Sequence, residues 1–405
     1  MRRSRRGLTA LQVFLLVAVV AALGYANERI TRELKPGDDF SVAWTASDLW
    51  LHQRISPYDE RVIQAAQLLV FGRISASDVI HRPILFLMPM PAMLFYAPFG
   101  SLTFQLARTV WMTLSEVGLL ALCALSLQLA RWKGPPWLTG LLLLFAVLWY
   151  HSAAAVLAGQ FAVIEGLLLT GSLLALRRKL DSVAGLLLGL SSVMPQISFL
   201  FIAFVLVWAA RARRWSLVLW TCGSAAAIFA LSLALLPDWP LQWIAQILRL
   251  YRTADARPIL VAASSFLPGA SSWLSAGLVL LSVIYLGWEW LAVLNQQDRW
   301  LQWTSALTLL FTVLLTYRTT TGVFVVLIPG LILAMAVWID RWGSRAAGWV
   351  VLHLLALGGG LWWLSFRTSA GDQESLVMFL PAPFLILIEL WWVRWWASRT
   401  MRFPP

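Results

Sequence analysis

Hydrophobic positions along this chain come in long uninterrupted runs rather than in alternation. Runs near the spanning length of about 20 residues cover 8–26, 102–130, 137–157, 161–176, 182–194, 196–210, 215–236, 272–294, 300–317, 322–339, 346–366 and 376–393. They predict about twelve transmembrane helices. The pair at 182–210 is two short halves divided by Pro195. A further apolar run, 84–99, contains Pro89, Pro91 and Pro98 and reads as a re-entrant or interfacial segment. The expected fold is therefore an all-α polytopic membrane protein, 1–405 forming one integral membrane domain. Helical outer loops are expected at 27–101 and 237–271.

Composition agrees, with 60% hydrophobic and only 12% charged residues against about a quarter charged in soluble domains. The net charge of +12 changes the picture through its placement. The cluster Arg2-Arg3-Ser4-Arg5-Arg6 puts the N-terminus in the cytoplasm. Alternation then puts "RWK" (131–133), "RRK" (177–179), "RARR" (211–214), "DRW" (298–300), "DRWGSR" (340–345) and the Arg394–Arg402 tail on that same side. The excess charge thus reads as topology, not as a nucleic-acid footprint. The 25 Trp suit two interfacial belts. Cys123 and Cys222 both fall in apolar runs, which argues against a disulfide or redox site, and no metal-type Cys/His spacing occurs.

The outward loops hold the candidate chemistry. "KPGDDF" (35–40) follows the first run directly, and Pro36-Gly37 breaks the chain before a helix-like pattern. One carboxylate of Asp38-Asp39 is explained by capping that helix. The second is a candidate general base near the membrane surface. Asp48 and His52 share a helix face and read as a surface pair. Asp59, in "SPYD", reads as a helix cap. "HRPILFLMPMPAMLFYAPFG" (81–100), with His81 and Arg82 at its start, reads either as one wall of a lipid-chain groove or as an interfacial hairpin. Gln160 stands at the outer end of a run with Glu165 one turn further in, and a carboxylate inside a span is a functional candidate. Glu116, Glu289 and His353 are other intramembrane ionisable groups, more simply read as packed against polar neighbours. Arg249 and Arg252 share a face in the second loop, Arg257 precedes Pro258, and Arg318 ends "TYR". Outward arginines that do not set topology suit either lipid headgroups or, more sharply, a bound phosphate.

Several short motifs follow one another in order: "DDF" after the first span, "PYD", the proline-rich 81–100 segment, "LARTVW" (106–111), "GQF" at a span end, and "AGLLLGLSSVMPQ" (184–196) before a basic turn. In this the chain resembles glycosyltransferase family 87 of the GT-C class, over roughly residues 8–340. The resemblance implies a GT-C-type helical bundle and polyprenyl-phosphate-mannose-dependent mannosyl transfer on the outer face of a bacterial-type plasma membrane. It also implies an Asp just after the first span as catalytic base, here Asp39 with Asp38 as its neighbour. The chain departs from the family pattern at Met194, where a Lys often precedes the proline, and in "TYRTTTG" (316–322), where His-containing motifs are frequent.

The combined expectation is an inverting hexosyltransferase with no metal or other cofactor. Its partners are a polyprenyl-phosphate sugar, a glycolipid or glycan acceptor and membrane lipids. Asp39 acts as base, Arg249, Arg252, Arg257 and Arg318 attend the phosphate, and Gln160 and Glu165 line the sugar site with His81 and Arg82 nearby. A transporter or flippase of a lipid-linked sugar is the alternative. It would favour internal repeats with midplane polar groups, and no clear repeat is found. A non-catalytic scaffold would not need the outward Asp and Arg residues.

Overall fold

The computed structural model describes residues 2–74, 84–253, 257–264, 272–296, 299–317, 320–368 and 374–398, with the side chains at 2–13, 15, 16, 38, 253, 264 and 272 outside that description. Among the described residues the chain is helical and contains no strand. A helix satisfies its own backbone, which hydrocarbon cannot do.

Helix α1 (Arg2–Glu33) leads into α2 (Asp38–Gln53), α3 (Glu60–Phe71) and α4 (Met90–Gly100), which build the first loop region. The proline-rich run is thus an extended stretch ending at Pro89 followed by the short α4, which packs on α2. Helix α5 (Phe104–Leu129) is followed by α6 (Pro136–Leu148) and α7 (Tyr150–Ala158), which meet at a 44° bend where Trp149 leaves helical geometry. Then come α8 (Ala162–Arg177), α9 (Asp181–Ser191), α10 (Pro195–Arg211) and α11 (Trp215–Leu235). Pro195 opens α10 at a position where its missing N–H is harmless. The Ser198 hydroxyl donates to the Ser191 carbonyl across that break at 2.8 Å. Gly185 and Gly189, four apart, bring α9 against α11 so closely that a Cβ at Gly185 would lie 2.6 Å from Trp220 Cβ. That close approach accounts for the glycines of the "AGLLLGL" motif.

The second loop region holds α12 (Trp239–Thr253) and α13 (Ile259–Ser264). Helices α14 (Ser272–Val293) and α15 (Arg299–Leu315) follow. A 3₁₀ turn (Thr321–Leu327) then runs into α16 (Ile328–Trp342). Helix α17 (Arg345–Leu355) passes through a π-turn at Ala356–Gly360 into α18 (Leu361–Thr368), and α19 (Pro381–Ser398) closes the described chain.

Each of the twelve apolar runs is helical. Six segments are long and apolar enough to cross a membrane: Phe104–Leu129, Trp215–Leu235, Trp273–Val293, Thr321–Trp342, Arg345–Thr368 and Leu376–Ser398. The bent α6–α7 pair makes a seventh if taken as one span. Helices α8 (16 residues), α9 (11) and α10 and α15 (17 each) fall short of that length. At α9 and α15 the apolar run continues where the backbone already turns.

The basic clusters gather at one end of the bundle. Arg177 Nη1 donates to the carbonyls of Gln128 and Leu129 at the end of α5, at 3.0 and 2.8 Å. Arg214 Nη2 donates to Leu176 O at the end of α8 (3.3 Å), and its Nε to Asp181 Oδ2 (3.0 Å). Asp340 binds both Arg299 (2.5 Å) and Lys133 (3.6 Å). Cations at these helix C-termini also oppose the negative end of the helix dipole. Helices α8, α10 and α16 therefore finish at the basic end and begin at the other.

Candidate functional site

At that other end the short polar turn before α2 is held from three sides. Arg108 of "LARTVW" is 3% exposed and donates to Leu34 O (3.0 Å) and Lys35 O (2.9 Å). Gly37 lies so close to the end of α7 that a Cβ there would stand 2.3 Å from Leu157 O. Phe40 is buried in an aromatic cluster, with ring centroids 5.6 Å from Trp111 and 6.4 Å from Phe99. Helix α7 ends at Gly159, whose φ of +74° turns the chain back and puts Gln160 N on Ala155 O. A Cβ at Gly159 would fall 2.3 Å from Phe40 Cβ. The "GDDF" and "GQF" motifs are thus two faces of one contact.

Its product is a hydrogen bond. Gln160 Nε2 donates to Asp39 Oδ2 at 2.9 Å. Asp39 lies in the first turn of α2, where the positive end of the helix dipole favours a carboxylate. Both residues line an open cavity, which Met194, Gln196, Ile259, Tyr317, Thr320 and Phe379 also line. The N-terminal turns of α8 and α10 open onto it through Ala162 and Ile197. Asp39 is the one carboxylate among the described lining residues.

Two walls are fixed by contacts with no local sequence signal. The Tyr58 hydroxyl donates to Met88 O (3.0 Å), and Trp243 Nε1 of α12 donates to Leu87 O (2.9 Å). These contacts satisfy carbonyls that the extended 84–88 stretch cannot satisfy itself. Burial pushes the Tyr58 hydroxyl above its ordinary pKa, so it remains a donor. On the other side Glu374 accepts from Thr321 N (2.9 Å), the Thr321 hydroxyl (2.7 Å) and the Tyr150 hydroxyl (3.2 Å). This fixes the turn that carries Thr320 and Gly322. A Cβ at Gly322 would lie 2.4 Å from Gln160 Oε1.

The sequence candidates divide. Asp39 and Gln160 come together. The side chain of Asp38, together with His81, Arg82 and Arg318, lies outside the described residues. Glu165 is fully buried in α8, neither carboxylate oxygen has a hydrogen-bond partner among the described residues, and it does not line the cavity. Arg249 pairs with Glu60 at 2.8 Å on the outer surface of α12, and Arg252 and Arg257 are exposed. Asp48 and His52 form an exposed pair at 3.0 Å, and Asp59 caps α3. Glu116 accepts from Asn27 Nδ2 (2.8 Å), Glu289 pairs with Arg394 (2.6 Å) and His353 with Glu389. Among the described residues no three His, Cys, Asp or Glu side chains gather as a metal site. Tyr317, Thr320, Gln196 and Glu374 were not singled out from sequence. Only the polar threonine-rich turn and the Pro-Gln step hinted at three of them.

Compared with known protein families, residues 86–317, more than half of the chain, match glycosyltransferase family 87. No curated protein and no solved structure matches.

Proposed function

Because the chain belongs to glycosyltransferase family 87, we propose that it moves a hexose, with mannose the expected one, from a polyprenyl-phosphate donor to an acceptor hydroxyl at the outer face of a bacterial-type plasma membrane. The observation that carries this reading is the Asp39 carboxylate, held by Gln160 at the mouth of α2 in a cavity where it is the one described carboxylate. In the proposed step the acceptor oxygen attacks the anomeric carbon and the bond to the phosphate oxygen breaks. The acceptor proton passes to Asp39, and the lipid phosphate leaves with the bonding pair. One displacement inverts the anomeric centre. Positioned proton removal of this kind contributes about 10²–10⁴-fold.

The outward orientation is supported by the separation of the two ends. If the basic end is cytoplasmic, as the charge bias of membrane proteins favours, the cavity opens outward. A charged nucleotide sugar stays in the cytosol. A sugar on a lipid phosphate can be flipped across the bilayer to reach an outward site. Twelve crossings result if α1, the bent α6–α7 pair, α8, α9, α10 and α15 each cross beside the six long segments. The regions 27–101 and 237–271 are then the two outer loops of a single membrane domain. Arg257 stands two residues before Ile259 of the cavity wall, and Arg318 follows Tyr317. Both are our candidates for cations that meet the leaving phosphate.

The test is a transfer assay in nanodiscs. Polyprenyl phosphate carrying mannose, glucose or arabinose is offered with a membrane glycolipid extract to wild type and Asp39→Asn. Wild type should consume one donor and yield the inverted product, while Asp39→Asn, equally well folded, should fall at least about a hundredfold. Full activity in Asp39→Asn would remove the base assignment. Lipid-sugar flipping without transfer by wild type would favour the transporter.

A further inference from the structure

Among the described residues, four polar atoms of residues lining the Asp39 cavity have no hydrogen-bond partner: Gln160 Oε1, Gln196 Oε1 and the hydroxyls of Tyr317 and Thr320. All four atoms are shielded, and Gln160 and Thr320 are 7% and 6% exposed. An unsatisfied buried polar group costs about 1–3 kcal/mol, so native proteins keep few of them. Four around one cavity are a deficit that a ligand there would relieve.

The type of atom says what that ligand is. Gln160 gives its Nε2 to Asp39, which fixes its Oε1 as a free acceptor. With Gln196 Oε1 and the Asp39 carboxylate, the cavity is rich in acceptors, while the Tyr317 and Thr320 hydroxyls can donate or accept. An ionised phosphate offers acceptors only. It would leave both amide oxygens unpaired and would face the Asp39 carboxylate, and no Arg, Lys or His is among the described lining residues to offset that. A sugar ring fits the set. Each ring hydroxyl gives one hydrogen bond and takes up to two. Its C–H faces suit the electron-rich faces of aromatic walls such as Phe161 and Phe379.

Resting on the transferase reading above, we infer that this cavity is the sugar subsite. Tyr317, Thr320 and Gln196 read the ring hydroxyls, and the donor's phosphate is held outside the cavity, at its rim. This assigns sugar specificity to Thr320 and to Tyr317, the last residue of the family match, and separates it from affinity for the lipid phosphate.

The experiment measures binding to the full-length protein in nanodiscs. The probes are polyprenyl phosphate, bare or carrying mannose, glucose or arabinose, and the methyl glycosides of the same sugars. Tyr317→Phe and Thr320→Val should each bind the preferred glycosylated lipid about tenfold more weakly than wild type and bind bare polyprenyl phosphate unchanged. If either substitution lowers thermal stability, Gln196→Met, at a half-buried position, carries the same expectation. Equal weakening for bare and glycosylated lipid would put these groups on the phosphate and overturn the inference, as would unchanged binding throughout. If wild type binds a methyl glycoside but no lipid-phosphate sugar, the donor reading fails. The same variants then decide the subsite on methyl glycosides. Wild type that binds neither overturns the subsite itself.

Discussion

Gln160 donates to Asp39 at 2.9 Å although 121 residues separate them, and two glycines make the contact possible. Gly37 and Gly159 each lie where a Cβ would stand 2.3 Å from the opposing segment. Gly159 also has φ +74°. Alanine at either position must push α2 off the end of α7. Overpacking of this kind costs about 1–3 kcal/mol, so Gly37→Ala and Gly159→Ala should both lower the melting temperature in nanodiscs and lose transfer. Gly72, with φ +67° but nothing within 4 Å, separates strain from clash. Gly72→Ala should cost only the left-handed penalty, about 1 kcal/mol, and keep activity.

Gln160 itself should act on turnover rather than on folding. Gln160→Leu keeps the bulk and removes the one side-chain donor the structure shows on Asp39. The expected result is kcat reduced about tenfold, in the range of a lost hydrogen bond to a charged group, with a smaller change in KM. A purely structural role would show instead as a lower melting temperature at unchanged kcat.

Glu374 lies beyond the family-matched residues, yet its carboxylate gathers Thr321 and Tyr150. Through Gly322 this turn rests on Gln160. Glu374→Ala removes both acceptor oxygens, so Thr321 N and the Thr321 and Tyr150 hydroxyls lose this partner. Hydrogen exchange should rise in peptides covering 320–327 and 155–162 and stay unchanged at the basic end, with transfer reduced. Exchange unchanged in both peptides would show that Glu374 does not position the site.

Asp39 and Gln160 were legible because each sits beside a chain break at a span end, "PG" before one and a left-handed glycine before the other. Tyr317, Thr320 and Glu374 were not. Their environment is made by helices that meet only in the folded bundle; in sequence Tyr317 and Thr320 stand in a polar turn noted for Arg318 and for its departure from the family pattern, and Glu374 stands in a separate polar stretch. The helices themselves were legible from their apolar runs. Their number of crossings was less so, because hydropathy runs through the turn at Met194-Pro195 and past the end of α15, where the backbone stops being helical, and because α8 and α10 match their apolar runs yet fall short of a full span. Arg249 shows the opposite difficulty. An outward arginine looks free in sequence, but Glu60 meets it across 189 residues.

Asp59 gives a pH expectation with a definite sign. Its carboxylate accepts from Arg61 Nε (3.0 Å), Nη2 (2.9 Å) and the Arg61 backbone N–H (2.9 Å). The side-chain bonds to Arg61, then the backbone bond, bring its pKa down to about 2. A folded pKa below the unfolded value of about 3.9 means that the stabilisation is present above about pH 4 and is lost as pH falls toward 2. Asp59→Ala should cost about 1 kcal/mol at neutral pH through the lost cap of α3, and the gap to wild type should close between about pH 4 and 2. A gap that stays constant over that range would exclude the ionised cap as its source. Thermal unfolding across pH measures it.

The basic end offers a stabilising change, because three of its turns use a non-glycine residue in the left-handed region: Arg131 (φ 54°), Lys179 (φ 60°) and Arg213 (φ 55°). Around Lys179 the turn closes with Lys179 N on Leu176 O (3.0 Å) and Leu180 N on Ala175 O (2.9 Å), the double bond of a helix ending that usually carries glycine. A side chain there costs about 1–2 kcal/mol, against which glycine adds roughly 0.5–1 kcal/mol of unfolded-state freedom. The balance favours Lys179→Gly by roughly 0.5–1 kcal/mol. The side chain of Lys179 is exposed, at the end of α8 remote from the cavity, so transfer should be unchanged. A raised melting temperature at constant activity is the expected result. A fall would mean that the lysine charge at this turn holds the helix end or the membrane orientation more strongly than the backbone strain opposes it, and Lys179→Asn, which tolerates the left-handed region without the charge, would show the same fall.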